Sequence, residues 1–158
     1  MAAELYGSQG NAFKKEVLAA WLEANGGGAA LPPPALLARL YPAGSLLQSG
    51  AIIAGASDWP VSSPNPFLAM YTAITRQGEL GLLPPASEQI SRQAILQAYT
   101  LNAAKVIGRE NEIGSISAGK SADLILLDRN LEQVASEEIK ETKVLWTMFK
   151  GKLVYQAL

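Results

Sequence analysis

Asp58 is the residue of this chain best placed to do chemistry. Residues 51–56, AIIAGA, are small, apolar and partly β-branched, the pattern of a short strand buried on both faces. Asp58 comes just past its end, followed by Trp59, Pro60 and a loop punctuated by Pro64 and Pro66. In α/β proteins ligands collect at the carboxyl ends of strands. A carboxylate there can hold a divalent metal and pass a proton between an attacking water and a leaving group. Trp59 beside it is a candidate to line a substrate pocket, as aromatic residues often do. The bland alternative for a lone aspartate, a helix cap or a loop hydrogen-bonder, stays open from the residue alone.

The missing residue types narrow the chemistry sharply. The chain has no histidine and no cysteine. A Ser-His-Asp triad, a thiolate nucleophile, a cysteine zinc site and a disulfide framework are therefore all excluded. One carboxylate cannot supply the three or four protein ligands of a catalytic zinc. Glu79 and Glu88 carry oxygen donors suited to magnesium, but their spacing does not group them. Residues 114–121, GSISAGKS, satisfy the phosphate-loop pattern G-x-x-x-x-G-K-[ST]. That loop works only when a helix starts at its lysine and aims N–H groups at the phosphates. Here the lysine precedes ADLILLD, a strand-like run, so the glycines are expected to make a turn between strands.

The elements that would position Asp58 follow from periodicity. Phe13, Val17, Trp21 and Leu22 form one face of an amphipathic helix over residues 13–25, which places Trp21 in a core. Three glycines at 26–28 stop it. Prolines at 32–34 make a linker, and short helical stretches are expected at 35–41 and 45–48. Asn65-Pro66 reads as a helix start, with Phe67, Met70, Tyr71 and Ile74 on its apolar face. Residues 78–85 read as a loop, with room to lie over the site. Ser91 caps a helix carrying Ile95, Leu96 and Tyr99, Thr100 caps a second carrying Ala103, Ala104 and Ile107, and Gly108 ends it. From Arg109 the pattern turns to strands at 113–116, 122–127, 144–149 and 152–155, with a helical turn at 136–139. Lys150-Gly151 is the tight turn between the last two strands. The expected division is therefore 1–108, mainly helical around one strand, and 109–158, mainly β.

Composition sets the outer bounds. With 158 residues, 49% of them hydrophobic, the chain can build a core, but a complete (β/α)8 barrel takes roughly 250 residues. A net charge of −1 with no basic run gives nucleic acid or an anionic membrane no electrostatic purchase. The amino terminus lacks the basic start and apolar stretch of a secretory signal, and no apolar run approaches a membrane span of roughly 20 residues. The expected location is cytoplasmic.

Four stretches together carry a family resemblance: GASDWPVSSPNPF at 55–67, TLNAAKVIG at 100–108, IGSISAGKSADLILLD at 113–128 and TKVLWTMFKGKLVY at 142–155. In this order they resemble the carboxyl-terminal part of amidohydrolase family 3, over residues 40–155. The resemblance implies an α/β fold: the last part of a metal-dependent-hydrolase (β/α)8 barrel, followed by strands of a small β-sandwich. It implies that Asp58 descends from a metal ligand and proton-transfer group, with Trp59 at the pocket mouth. It implies a structural role for Asp123, fixing the glycine–lysine turn. The intact family is similar to hydrolases that cut non-peptide carbon–nitrogen bonds of small-molecule substrates with a divalent metal, commonly zinc. Its further ligands are histidines on earlier strands.

Three readings follow. The chain is a piece of such a hydrolase, binding no metal and inactive alone. Alternatively it is one part of a split enzyme whose histidines come from a complementing chain. Or it is a non-catalytic binding or oligomerisation module on the same scaffold. Whether Met1 is the natural start stays open. Strands deprived of their neighbours seek partners, so self-association or poor solubility is expected.

Overall fold

The computed structural model describes residues 39–78 and 81–158. The helix expected at 13–25, Trp21, the proline linker and Glu79 lie outside the described residues. Helix α1 spans Ala43–Gln48 and α2 spans Pro66–Thr75. Two-residue strands β1 (Gln77–Gly78) and β2 (Gly81–Leu82) pair antiparallel where a plain loop was expected. A 3-10 turn at Ala86–Glu88 leads to α3 (Arg92–Tyr99) and α4 (Leu101–Val106). Strand β3 (Leu124–Leu127), a 3-10 turn at Ser136–Glu141, β4 (Val144–Phe149) and β5 (Lys152–Gln156) complete the chain. Of the helical stretch expected at 35–41, residues 39–41 form a turn and bend, with Tyr41 at φ 52.

The helix starts follow local chemistry. Asn65 accepts a hydrogen bond from Phe67 N at 3.0 Å and Pro66 occupies the first turn, where its missing N–H costs nothing. Ser91 Oγ accepts from Ala94 N at 3.1 Å. Thr100 does not cap α4 as expected. Its hydroxyl donates backwards to Leu96 O at 2.7 Å, because Thr100 closes α3 and only then turns the chain. The α2 stripe is core: Phe67, Met70 and Tyr71 are buried, and Ile74 packs on their cluster. Ile90, Ile95 and Ala98 join it from the α3 side. Leu131 and Ile139 close it from below, with Ile139 only 1% exposed.

β3, β4 and β5 form one antiparallel sheet in that order. Lys150 and Gly151 have φ 49 and 76, the double left-handed geometry of a two-residue hairpin turn. Asp123 accepts from Lys150 N at 2.7 Å, and Gly151 N donates to Ala122 O at 3.1 Å. The aspartate thus fixes a turn, but the one between β4 and β5 rather than the one at Gly119–Lys120. Asp123→Ala is expected to cost about 1 kcal/mol, the usual worth of one such bond, read as a lower urea midpoint at unchanged slope.

Two expected strands are absent. Residues 51–56 run extended but pair with no strand among the described residues. Ile53 and Gly55 are half-buried while Ile52 is 61% exposed, so one side is covered and not two. An apolar run specifies a strand's faces; its partners must come from elsewhere in the chain. Residues 113–116 bend instead of pairing. Gly114, at φ 87, presses so closely on α4 that a Cβ there would lie 2.6 Å from Ala104 Cβ. Ile116 is left 90% exposed.

Exposed apolar residues stand on both sides of the sheet. Consecutive strand residues point to opposite faces. Ile125 and Leu126 are 51% and 44% exposed, and Leu153 and Val154 are 54% and 59% exposed. Leu127 and Val144 at one end pack against the helical core. Among the described residues no helix is long and apolar enough to cross a membrane.

Candidate functional site

Asp58 stands at the tip of the extended segment with its backbone in the left-handed region, φ 53. That is an uncommon conformation for a residue with a side chain, and aspartate is among the few that adopt it readily. The loop behind it is closed on itself: Val61 N donates to Asp58 O at 2.8 Å, and Ser62 Oγ donates to Ser57 O. Asp58 is exposed, and Trp59 is 68% exposed beside it. Both face outward.

Next to the segment lies an apolar groove of about 240 Å³ between α1, α2 and α3. Leu46, Ile53, Ala56, Ala73, Ile95 and Tyr99 are among its walls. Neither Asp58 nor Trp59 lines it. The expected loop over the site, residues 78–85, sends none of its described residues to this groove; Leu83 lines a separate small cleft of about 30 Å³ with Arg76 and Glu88.

Glu88 is not an available ligand. It is buried, and its two oxygens accept from Ser45 N, at 2.8 Å, and from Ser45 Oγ. These bonds, the hydroxyl's first, hold its carboxyl below its ordinary value of 4.5; burial opposes them, while Arg76 and the Gly44 N–H add to them. A depressed carboxylate stabilises the fold above its unfolded pKa and loses that stability as pH falls through its folded value. The stability difference between the native chain and Glu88→Gln is therefore expected to be full at neutral pH. It should shrink once the pH drops below 4.5, in urea titrations run from pH 7 downward.

Other carboxylates are similarly occupied. Asp128 pairs with Arg129 at 2.8 Å and accepts from Lys143 N at 3.0 Å, which lowers its pKa to about 2. Among the described residues, no three His, Cys, Asp or Glu side chains gather closely enough to hold a metal. The phosphate-loop resemblance ends here as well. No helix starts at Lys120, whose ammonium donates to Glu110 O and, at 3.3 Å, to Ile113 O.

Sequence reasoning missed the residues that hold this region together. Arg76, 4% exposed, ends α2 at φ 54 and spreads its guanidinium over four carbonyls. They are Leu83 O, Tyr41 O and Leu40 O, each at 2.9 Å, and Pro84 O at 3.4 Å. Asn102 Nδ2 donates to Ile53 O at 3.0 Å. Nothing in the spacing announces either; an amide in the first turn of α4, whose one other polar residue is Lys105, was the available signal for Asn102.

The family model described as Amidohydrolase family matches residues 19–155. The chain belongs to that family. It is 37% identical over 118 residues to N-substituted formamide deformylase of Arthrobacter pascens, which covers 75% of this chain and 22% of that protein. It is 32% identical over 132 residues to imidazolonepropionase of Shouchella clausii, covering 80% of this chain and 27% of that protein. Among solved structures it resembles an amidohydrolase from Thermotoga maritima, with a TM-score of 0.56 and 26% identity over 72% of this chain and 25% of that one. The chain thus spans about a quarter of the length of the relatives it matches.

Proposed function

We propose that this chain is the carboxyl-terminal portion of a metal-dependent amidohydrolase that cleaves non-peptide carbon–nitrogen bonds in small molecules. The observation that carries this reading is Asp58, on a family-matched segment, held out at the end of an extended run in a chain a quarter the length of its relatives. Residues 51–56 then correspond to the last barrel strand, 1–108 to the end of the barrel and 109–158 to strands of the sandwich. Asp58 would be the metal ligand and proton-transfer group, and Trp59 would border the substrate. Relatives whose names denote a deformylase and an imidazolonepropionase support the reaction class.

The residues of this chain do not by themselves fit a metal. Among the described residues Asp58 joins no group of three His, Cys, Asp or Glu side chains, and a catalytic zinc needs three or four protein ligands. No hydrolytic step is therefore assigned to this chain alone. The exposed apolar residues of the sheet support a second reading, a module that assembles with another chain or a second copy and has kept the scaffold without the reaction.

The test reads the source DNA upstream of Met1 and then assays what it encodes. On the first reading an open frame with a His-x-His motif precedes Met1. The longer protein then takes up zinc, while the 158-residue chain shows no stoichiometric zinc in calorimetry. Asp58→Asn in the longer protein should lower turnover by at least about 100-fold, as expected for loss of a general acid–base group. A stop codon close upstream together with a zinc-free, folded oligomer would establish the module instead.

A further inference from the structure

Asp58 is reached through a segment that, among the described residues, no strand holds in place. Between residues 52 and 56 the backbone makes two hydrogen bonds among the described residues, and both go to the corner where α3 meets α4. Gly55 N donates to Ala98 O at 2.9 Å, and Asn102 Nδ2 donates to Ile53 O at 3.0 Å. The Tyr99 ring fills the space between them: a Cβ on Gly55 would lie 2.4 Å from Tyr99 Cε2. Downstream, among the described residues, the loop of residues 57–62 hydrogen-bonds only within itself, with Ser62 buried, until Asn65 caps α2. The direction in which Asp58 leaves the fold is therefore set upstream.

We propose that Asn102 is a positioning residue for Asp58, acting through the carbonyl of Ile53. Its amide is half-buried on the first turn of α4 and reaches a segment 49 positions away in sequence. With that donor gone, residue 53 is held by its side-chain packing alone. The segment can then pivot about the single Gly55–Ala98 bond, carrying the tip that holds Asp58 with it. A single partly buried bond of this sort adds a modest net stabilisation. That is small against global stability but enough to redistribute a loop among orientations. The meaning of this role rests on the reading of Asp58 as a site carboxylate, whereas its test needs neither metal nor turnover.

The experiment is fluorine NMR of the full chain grown with fluorotryptophan. Trp59 follows Asp58 directly and reports the tip, while Trp146, in β4, reports the sheet. Each resonance is assigned by a Trp→Phe change. In Asn102→Ala the Trp59 resonance is expected to move by more than its linewidth or to split, with Trp146 unmoved. Gly55→Ala, which pushes the segment off the Tyr99 ring, should displace Trp59 in the same selective way. Where Asn102→Ala disturbs Trp146 too, Asn102→Asp decides, because it keeps the side-chain volume while replacing the N–H donor with a charged carboxylate oxygen that cannot bond the Ile53 carbonyl. A Trp59 resonance unmoved in all three variants, or moved only together with Trp146 in all three, overturns the proposal. Absence of the upstream histidines would defeat the hydrolase reading and leave this result standing.

Discussion

Replacing Arg76 with leucine is expected to cost about 3 kcal/mol or more, a large share of the roughly 5–15 kcal/mol that holds a domain together. The reason is the number of acceptors that one guanidinium serves. Leu40, Tyr41, Leu83 and Pro84 all turn their carbonyls toward it, from two chain segments that also meet through Ser45 and Glu88. Leucine fills some of the volume but takes the guanidinium donors from all four oxygens, of which Tyr41 O keeps its bond from Ala43 N, in a region where Arg76 itself is 4% exposed. Each buried carbonyl left bare costs about 1–3 kcal/mol, reduced where water reaches in. Glu88, whose carboxyl Arg76 helps hold in its charged form, loses part of its support as well. Arg76→Lys separates charge from geometry. Lysine keeps the cation but cannot fork over two segments at once, so it should recover only part of the loss. Equal stability of leucine and lysine variants in urea titration would mean that charge contributes nothing there.

Gly44→Ala is the second large effect, and here two physical terms oppose each other. Gly44 lies inside α1, where alanine is ordinarily better than glycine by about 1 kcal/mol. A Cβ at that point, however, would lie 2.4 Å from Ser87 O and 2.9 Å from Glu88 Cα. Both are backbone atoms, which cannot swing aside as a side chain would. Helix α1 must then lift off the 3-10 turn, and overpacking of that kind costs about 1–3 kcal/mol. Lifting it also stretches both bonds from Ser45 to the Glu88 carboxylate, and bonds to a charged group are worth about 1.5–3 kcal/mol each. The expected net result is destabilisation by about 3 kcal/mol. A variant as stable as the parent would show that α1 is not seated on this turn in solution.

Both residues illustrate what the sequence could and could not disclose. Asn65-Pro66, Ser91 and Lys150-Gly151 were legible because each acts on atoms within a few positions of itself. The range of β4 matched its apolar pattern for the same reason: its partner β5 is the next element along, joined by a two-residue turn. Thr100 misled because a hydroxyl at a helix junction can serve the helix behind it as readily as the one ahead. The strand expected at 51–56 failed at longer range. Its composition describes what could pack on it but says nothing about which strand would lie alongside. Arg76 reaches back 35 and 36 positions, and Asn102 reaches back 49. No periodicity encodes such distances. Asp58 was found through its neighbours SDWP and its place after an apolar run, while its left-handed backbone came only from the fold.

On the reading in which another chain or a second copy covers the exposed apolar faces of β3–β5, dilution becomes a destabilising agent. Whatever covers β3–β5 binds the folded chain and not the unfolded one, so it adds to stability in proportion to the logarithm of its concentration. At a hundred times the dissociation constant of such a cover the gain is about 2.7 kcal/mol, comparable to either substitution above. On that reading a melting temperature characterises a concentration as much as a sequence, and values taken in a dilute cuvette and in a crowded extract belong on different curves.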